Sequence, residues 1–355
     1  MKILYLFNGS RKEVEAKIKN GHHPSHGFWG LWQLPNYGLV ANYVEIEQFW
    51  FEGVTQFFRK WVNVYFIHLP LFFKFFAYDI IFTSSAFGTQ LFFTLWPGKK
   101  PLWVMHDFSI KSLIGNEKTW RQKIFSWLVS KSGGIVTLSQ DEVVFLQQKF
   151  PHLKDKIKFI PFGVDLDFFK RTETKIENQI LAVGFDPDRD WSTLIEAVKN
   201  LNIKVVLATR ESRVAKFRPL PNNIEVKQFT AGELVKEYDK SFLVVLPLNT
   251  SYGNNDAMGC STLFEAMAMG KTVIATSTKA MESYIKDGYN GYLVQEGDIK
   301  ELNQKILELI QNPTQCRQVG ERARSYAQEY LDVNACTKDL ANFFNNLSTN
   351  KINRL

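Results

Sequence analysis

Short, mainly apolar runs recur along this chain, separated by stretches of helical spacing, and they come in two successive series. Residues 2–7, 79–83, 101–105, 134–138 and 157–160 make the first series. Residues 179–183, 204–208, 242–246, 272–276 and 292–294 make the second. A strand that is apolar on both faces is buried on both, as in a parallel sheet covered by helices. Helical patterns at 118–130, 140–150, 191–201, 233–240 and 261–269 supply the crossovers. This alternation predicts an α/β chain of two doubly wound, Rossmann-like domains facing a central cleft. The 355 residues are too many for one comfortable core and suit two. Ligands of such sheets bind at the carboxyl ends of the strands, so the residues just beyond each run are where chemistry is sought. The boundary is expected at 162–175, where Pro161, Gly163 and a polar stretch interrupt the pattern. That divides the chain into a first domain at 1–165 and a second at 166–330, with a mostly helical tail.

Charge and aromatics are unevenly spread. Residues 1–165 hold 19 Lys and Arg against 12 Asp and Glu, so the whole excess of +7 lies in the first half. Between Phe49 and Trp96 stand 18 of the 51 aromatic side chains. The basic residues are mixed with phenylalanines and form no run or known recognition motif, which argues against a nucleic-acid partner. Cys260, Cys316 and Cys336 form no close-spaced pair, so neither a disulfide framework nor a zinc site is expected, and a reducing compartment fits. The chain enters a strand at Lys2 without the longer apolar region of a signal peptide, so a cytoplasmic location is expected.

The richest stretch is 259–276. Gly259, Cys260, Ser261 and Thr262 open an apolar helix that carries one carboxylate, Glu265, and stops at Gly270 before a β-branched run. Free N–H groups at a helix N-terminus suit an anion such as a diphosphate. Glu265, a turn further in, can accept from two neighbouring hydroxyls. A diphosphate and a diol together outline a nucleotide sugar. An ordinary helix with Glu265 solvated on its face has the same pattern.

Together with 160–169 (Ile-Pro-Phe-Gly-Val-Asp-Leu-Asp-Phe-Phe) and with Glu282 followed by Asp287-Gly288-Tyr289-Asn290-Gly291, this stretch resembles the retaining nucleotide-sugar glycosyltransferases of family 4, which have the GT-B fold. The resemblance implies a hexose moved from a nucleoside-diphosphate sugar, UDP-linked by preference or GDP-linked, to an acceptor hydroxyl by front-face attack. It implies nucleotide in the second domain, acceptor in the first, and a last helix at 331–355 crossing back. The family's Glu-x7-Glu motif keeps its second member, Glu265, as ribose ligand, but eight residues earlier stands Ala257. Asp256 is one residue off and is the substitute candidate. The family's diphosphate-gripping Arg position holds Phe185, and the Lys position holds Arg189, beside Gly184. Arg189 is therefore expected to stabilise the leaving diphosphate, unless it only caps a helix or pairs with Asp190. Arg210 is a second cation candidate for the donor. His106, at a strand end, is expected to contact the donor sugar, and Ser139, at the next, the acceptor.

Two further patterns have competing readings. Asp186-Pro187-Asp188 spells a metal-binding Asp-x-Asp, but a cationic side chain does that work in the GT-B setting, so no metal or other cofactor is expected. His22, His23 and His26 lack an accompanying Cys or acid and are broken by Pro24, which favours an acceptor-side loop over zinc. Basic and aromatic residues interleave at 56–61 and 71–76. They predict peripheral attachment to an anionic membrane, at its inner face, and a lipid or lipid-linked glycan acceptor. Filling the first core is the competing use for those rings. The missing first Glu and Phe185 leave open an inactive membrane-surface binder of the same fold, and a UDP-sugar epimerase is the nearest enzymatic rival.

Overall fold

The computed structural model describes the chain apart from residues 49, 64, 173–175, 252–256 and 353–355. Its first sheet contains β1 (Lys2–Leu6), β2 (Val40–Tyr43), β3 (Ile80–Thr83), β4 (Leu102–His106), β5 (Gly134–Thr137) and β6 (Ile157–Phe159). The second contains β7 (Gln179–Val183), β8 (Lys204–Ala208), β9 (Ile224–Lys227), β10 (Leu243–Leu246), β11 (Thr272–Thr276) and β12 (Tyr292–Val294). The strand orders are β2-β1-β3-β4-β5-β6 and β12-β11-β10-β7-β8-β9, and every pair is parallel.

The apolar runs do what a doubly wound sheet requires. Leu4 and Leu6 of β1 face a core shared with Phe87, Phe93, Phe125 and Leu128. Ile3 and Tyr5 face the opposite core, with Phe28, Leu34, Leu340 and Phe344. In the second sheet Leu181 and Val183 pack on Leu263, Phe264 and Met267, while Ile180 and Ala182 pack on Leu194, Val198 and Ile306.

Two strands escaped the sequence pattern, β2 and β9. Both are edges, and neither has a fully buried position. An edge strand covered on one side only carries no apolar run to betray it.

The polypeptide passes between the sheets twice, side by side. The Val164 N–H donates to the Leu331 carbonyl at 2.6 Å, and the Val333 N–H donates to the Val164 carbonyl at 3.0 Å. Gly163 turns there with φ +77°, and a Cβ on it would lie 2.7 Å from Val333 Cα. The helix Val333–Ile352 then lays Leu340, Phe343, Phe344 and Leu347 on the first sheet. Across the cleft the Tyr284 hydroxyl donates to the Leu138 carbonyl at 2.7 Å, and the Gln140 N–H donates to Ser283 Oγ at 3.1 Å.

Candidate active site

The helix Cys260–Ala268 follows a turn that only glycine makes easily. Gly259 has φ +88°, and a Cβ there would press on Leu246 and Leu248 at 3.1–3.2 Å. The first-turn N–H groups of Ser261 and Thr262 have no intrahelical acceptor, and the helix dipole makes this end positive. Gly259, Ser261 and Thr262 line a cavity of about 350 Å³ between the sheets, with Gly184, Asp186, Arg189 and Glu265. Phe108 and Phe162 close it from the other side.

Arg189 is held at the floor of that cavity. Its main chain bridges Leu248, and the flanking Asp188 carbonyl and Asp190 N–H bond to Asn249 and Pro247. The guanidinium side chain is only 3 % exposed. It lies 3.4 Å from the Asp186 carboxylate and donates to Thr262 Oγ1 at 3.4 Å. Its Nε and Nη1 have no protein partner. Burial pulls its pKa down from the ordinary arginine value, while Asp186 acts in the opposite sense. A buried cation with unused donors beside a helix N-terminus is a fixed receptor for a doubly charged oxyanion. Gly184 makes room for it, since a Cβ there would stand 1.9 Å from Arg189 Nε. Asp190 is otherwise engaged, capping the next helix through the Thr193 N–H.

Glu265 lies one turn below the helix head. Its Oε2 accepts from the buried Tyr238 hydroxyl at 2.9 Å, and its Oε1 is 3.6 Å from His26 Nε2. Burial and the Glu265 carboxylate both push the Tyr238 phenol up, so it stays a donor. His26 comes from the first sheet's side. Its ring lies along Phe162, and its Nδ1 accepts from the Asp165 N–H at 3.4 Å. Ser25 adds two hydrogen bonds to the Asp165 carboxylate, from its N–H at 2.9 Å and its hydroxyl at 2.8 Å. Sequence reasoning missed Tyr238, Phe108 and Phe162. Tyr238 had one available signal, a phenol among the buried positions of an otherwise amphipathic helix.

The structure therefore gathers Gly184, Arg189, Gly259, Ser261, Thr262 and Glu265 and leaves other candidates elsewhere. Cys260 turns into the core, with its thiol pushed up by burial. Arg210 is exposed and lines no described cavity of the cleft. His22 is exposed, and His23 bonds its neighbour's carbonyl, so neither reaches the cleft cavities. His26 belongs with Glu265, not with an acceptor loop. Ser139 lines a second cavity of about 300 Å³, bordered like the first by Met258. Asp186 and Asp188 face different cavities. Asp256 lies outside the described residues. His106 is corrected as well: Phe108, not His106, lines the cavity. Trp29, Phe82 and Phe108 enclose the imidazole at 4.7–5.2 Å between ring centres.

That enclosure sets an acid limit on stability. Burial pushes His106 down to about 3 and His68 down to about 4. Both folded pKa values are below the unfolded value near 6.5, so the unfolded chain binds more protons as pH falls. Stability from keeping these rings neutral is full above pH 6.5 and is lost on descent through the interval to 4 and 3. The expected loss between pH 7 and 5 is about 2 kcal/mol for each histidine. Urea unfolding at pH 7, 6 and 5 measures it, and His106→Phe removes about half the slope. An unchanged slope in that variant shows that other groups set the acid limit.

The family model described as Glycosyl transferases group 1 matches residues 164–326, the segment that carries Arg189 and Glu265. Over its whole length the chain is similar to an uncharacterized glycosyltransferase of Methanocaldococcus jannaschii, at 22% identity, covering 97% of this chain and 90% of the relative. It is 29% identical to the N-acetyl-alpha-D-glucosaminyl L-malate synthase of Bacillus anthracis over 45% of this chain and 35% of that one. Among solved structures, Anabaena HepE in complex with UDP-glucose superposes with a TM-score of 0.70 at 15% identity, covering 98% of this chain and all of HepE. Two facing parallel sheets, a buried cation at a helix head between them and these relatives agree: the chain is a glycosyltransferase of the GT-B fold.

Proposed function

We propose that the enzyme is a retaining hexosyltransferase whose donor is a nucleoside-diphosphate sugar, with UDP favoured over GDP. The observation that carries this reading is the Arg189 guanidinium, buried with two unpartnered donors beside the N–H groups of Ser261 and Thr262. HepE's complex with UDP-glucose supports the donor class. The diphosphate sits at the helix head and the ribose hydroxyls donate to Glu265. The bond between the sugar's anomeric carbon and the diphosphate oxygen breaks. The acceptor oxygen bonds the same face, and its proton passes to the departing diphosphate. Negative charge grows on the diphosphate during this step, and Arg189 meets it without a metal ion. The acceptor is a lipid or a lipid-linked glycan, taken up from an anionic membrane surface at its cytoplasmic face by the first domain. Among the described residues no helix is long and apolar enough to cross a membrane.

Glu265→Gln tests the donor half. A hydrogen bond to a charged group contributes about 1.5–3 kcal/mol, so UDP affinity falls about tenfold or more in a folded protein. Titration calorimetry with UDP and GDP measures it. An unchanged affinity removes Glu265 from the site, and no binding of either nucleotide by the parent enzyme overturns the donor class.

A further inference from the structure

The second interdomain cavity, of about 300 Å³, has no role in the donor reading. One wall is the start of the helix Gln140–Lys149, with Ser139, Asp141 and Glu142, and the other carries Thr250, Thr278 and Met258. We propose that it holds the glycosyl end of the acceptor, and that it selects neutral or amino sugars over phosphorylated or carboxylated ones. The inference rests on the glycosyl-transfer reading above and adds the acceptor's chemical class.

Three observations converge. First, Ser139 is 1 % exposed, lines the cavity, and its Oγ has no protein partner. A buried hydroxyl without a partner costs free energy unless a ligand or water completes it. Second, the cavity borders Met258, as the donor cavity does, so an acceptor hydroxyl entering from it arrives beside the Gly259 turn.

Third, the charges are one-sided. Both lysines that line the cavity are ion-paired, Lys111 with Asp141 at 2.8 Å and Lys279 with Glu282 at 2.7 Å. Glu142, Asp188 and Glu296 add three more carboxylates to the cavity lining. Glu296 accepts from the Thr250 N–H at 2.8 Å and from its hydroxyl. Sugar hydroxyls donate readily to carboxylates, and an ammonium is attracted by them. A phosphate or uronate meets like charge in a partly dry chamber, where repulsion is stronger than in water. The N-terminus of the helix Gln140–Lys149 does not reverse this, because Asp141 and Glu142 occupy its first turn.

The test is saturation-transfer NMR and titration with methyl glycosides of glucose, galactose, mannose and N-acetylglucosamine. Glucosamine, methyl glucuronide and glucose 6-phosphate complete the panel, and each probe is run with and without UDP. At least one neutral glycoside or glucosamine binds, and the glucuronide and the phosphate bind at least about tenfold more weakly. Ser139→Val and Glu142→Gln weaken the bound sugar at least fivefold and leave UDP affinity unchanged. Equal or tighter binding of the anionic sugars overturns the proposal, and so does sugar binding indifferent to both substitutions. Absence of any sugar binding while UDP binds also overturns it. Loss of UDP binding in the parent enzyme instead overturns the donor reading, and the arms without UDP still decide the charge preference.

Discussion

Arg189→Ala lowers kcat by about a hundredfold to a thousandfold and raises the KM for the donor far less. Removing one preorganised donor from a developing oxyanion costs about that much in other enzymes. The ground-state diphosphate already has the N–H groups of Ser261 and Thr262, so affinity is shared, whereas the charge added as the bond breaks needs the cation. The side chain is buried at 3 % exposure and held by Asp186 and Thr262, so it is in place before the donor arrives. Gly184→Ala gives a second route to the same loss without touching the charge. Its Cβ would stand 1.9 Å from Arg189 Nε and displace the guanidinium, while the backbone of Gly184 suits any residue. Arg189→Lys keeps the charge but loses the planar fork and recovers only part of the rate. Steady-state transfer assays with a panel of UDP and GDP sugars, repeated in EDTA, read all three variants. Parent-like kinetics for Arg189→Ala show that the cation serves only Asp186. Loss of activity in EDTA with rescue by manganese overturns the metal-free mechanism.

The residues that could be read from the chain are those whose partners are close in sequence. Gly184 and Arg189 share one loop, and Gly259, Ser261, Thr262 and Glu265 share one helix start, so motif spacing finds both groups. What spacing cannot find is which loop folds over which. Tyr238 and His26 reach Glu265 from two other segments, one of them across the cleft. His106 shows the opposite failure. The strand-end rule places it correctly at the end of β4, but Trp29 and Phe108 come in from elsewhere and wall it off. Local capping behaved in the same way. The pattern starting at Glu233 was real, but Glu233 is the third residue of a capping box with Thr230, so the helix begins at Ala231.

Anionic vesicles capture the enzyme at low salt, and a pair of serine substitutions, Trp120→Ser with Trp127→Ser, weakens that capture about a hundredfold or more. Of the two stretches that suggest a membrane surface, 56–61 and 71–76, the second divides its rings between core and solvent. The α-helix there is only Phe72–Phe75, entered from a 3-10 turn at Leu69–Leu71, and Phe75 is buried against Phe93. Leu71 and Phe75 serve the first core and Phe72 packs against it, whereas Phe73 and Phe76 stay 58 % and 38 % exposed. In the other stretch, 56–61, Phe57 and Trp61 of the helix Glu52–Trp61 are exposed, and a further exposed apolar surface, which the sequence reading did not single out, lies on the helix Trp120–Ser130. On the second helix Trp120, Ile124 and Trp127 follow i, i+4, i+7 spacing and are 75 %, 38 % and 37 % exposed. Exposed Lys118, Arg121, Lys123 and Lys131 accompany them, and residues 118–131 contain no acid. A stripe of two rings and an isoleucine, with cations as the only charges over residues 118–131, matches an interface with acyl chains on one side and anionic headgroups on the other. Each large side chain withdrawn from water contributes about 1.5–3 kcal/mol, so losing two costs about 3 kcal/mol or more. Each cation near the surface adds roughly 1 kcal/mol, which salt screens. Flotation on anionic and neutral vesicles at low and high salt separates the two contributions. High salt reduces capture by anionic vesicles, and the serine pair reduces it at every salt concentration. A protein that stays unbound on anionic vesicles at low salt has no membrane surface, and its acceptor is then a soluble sugar or protein.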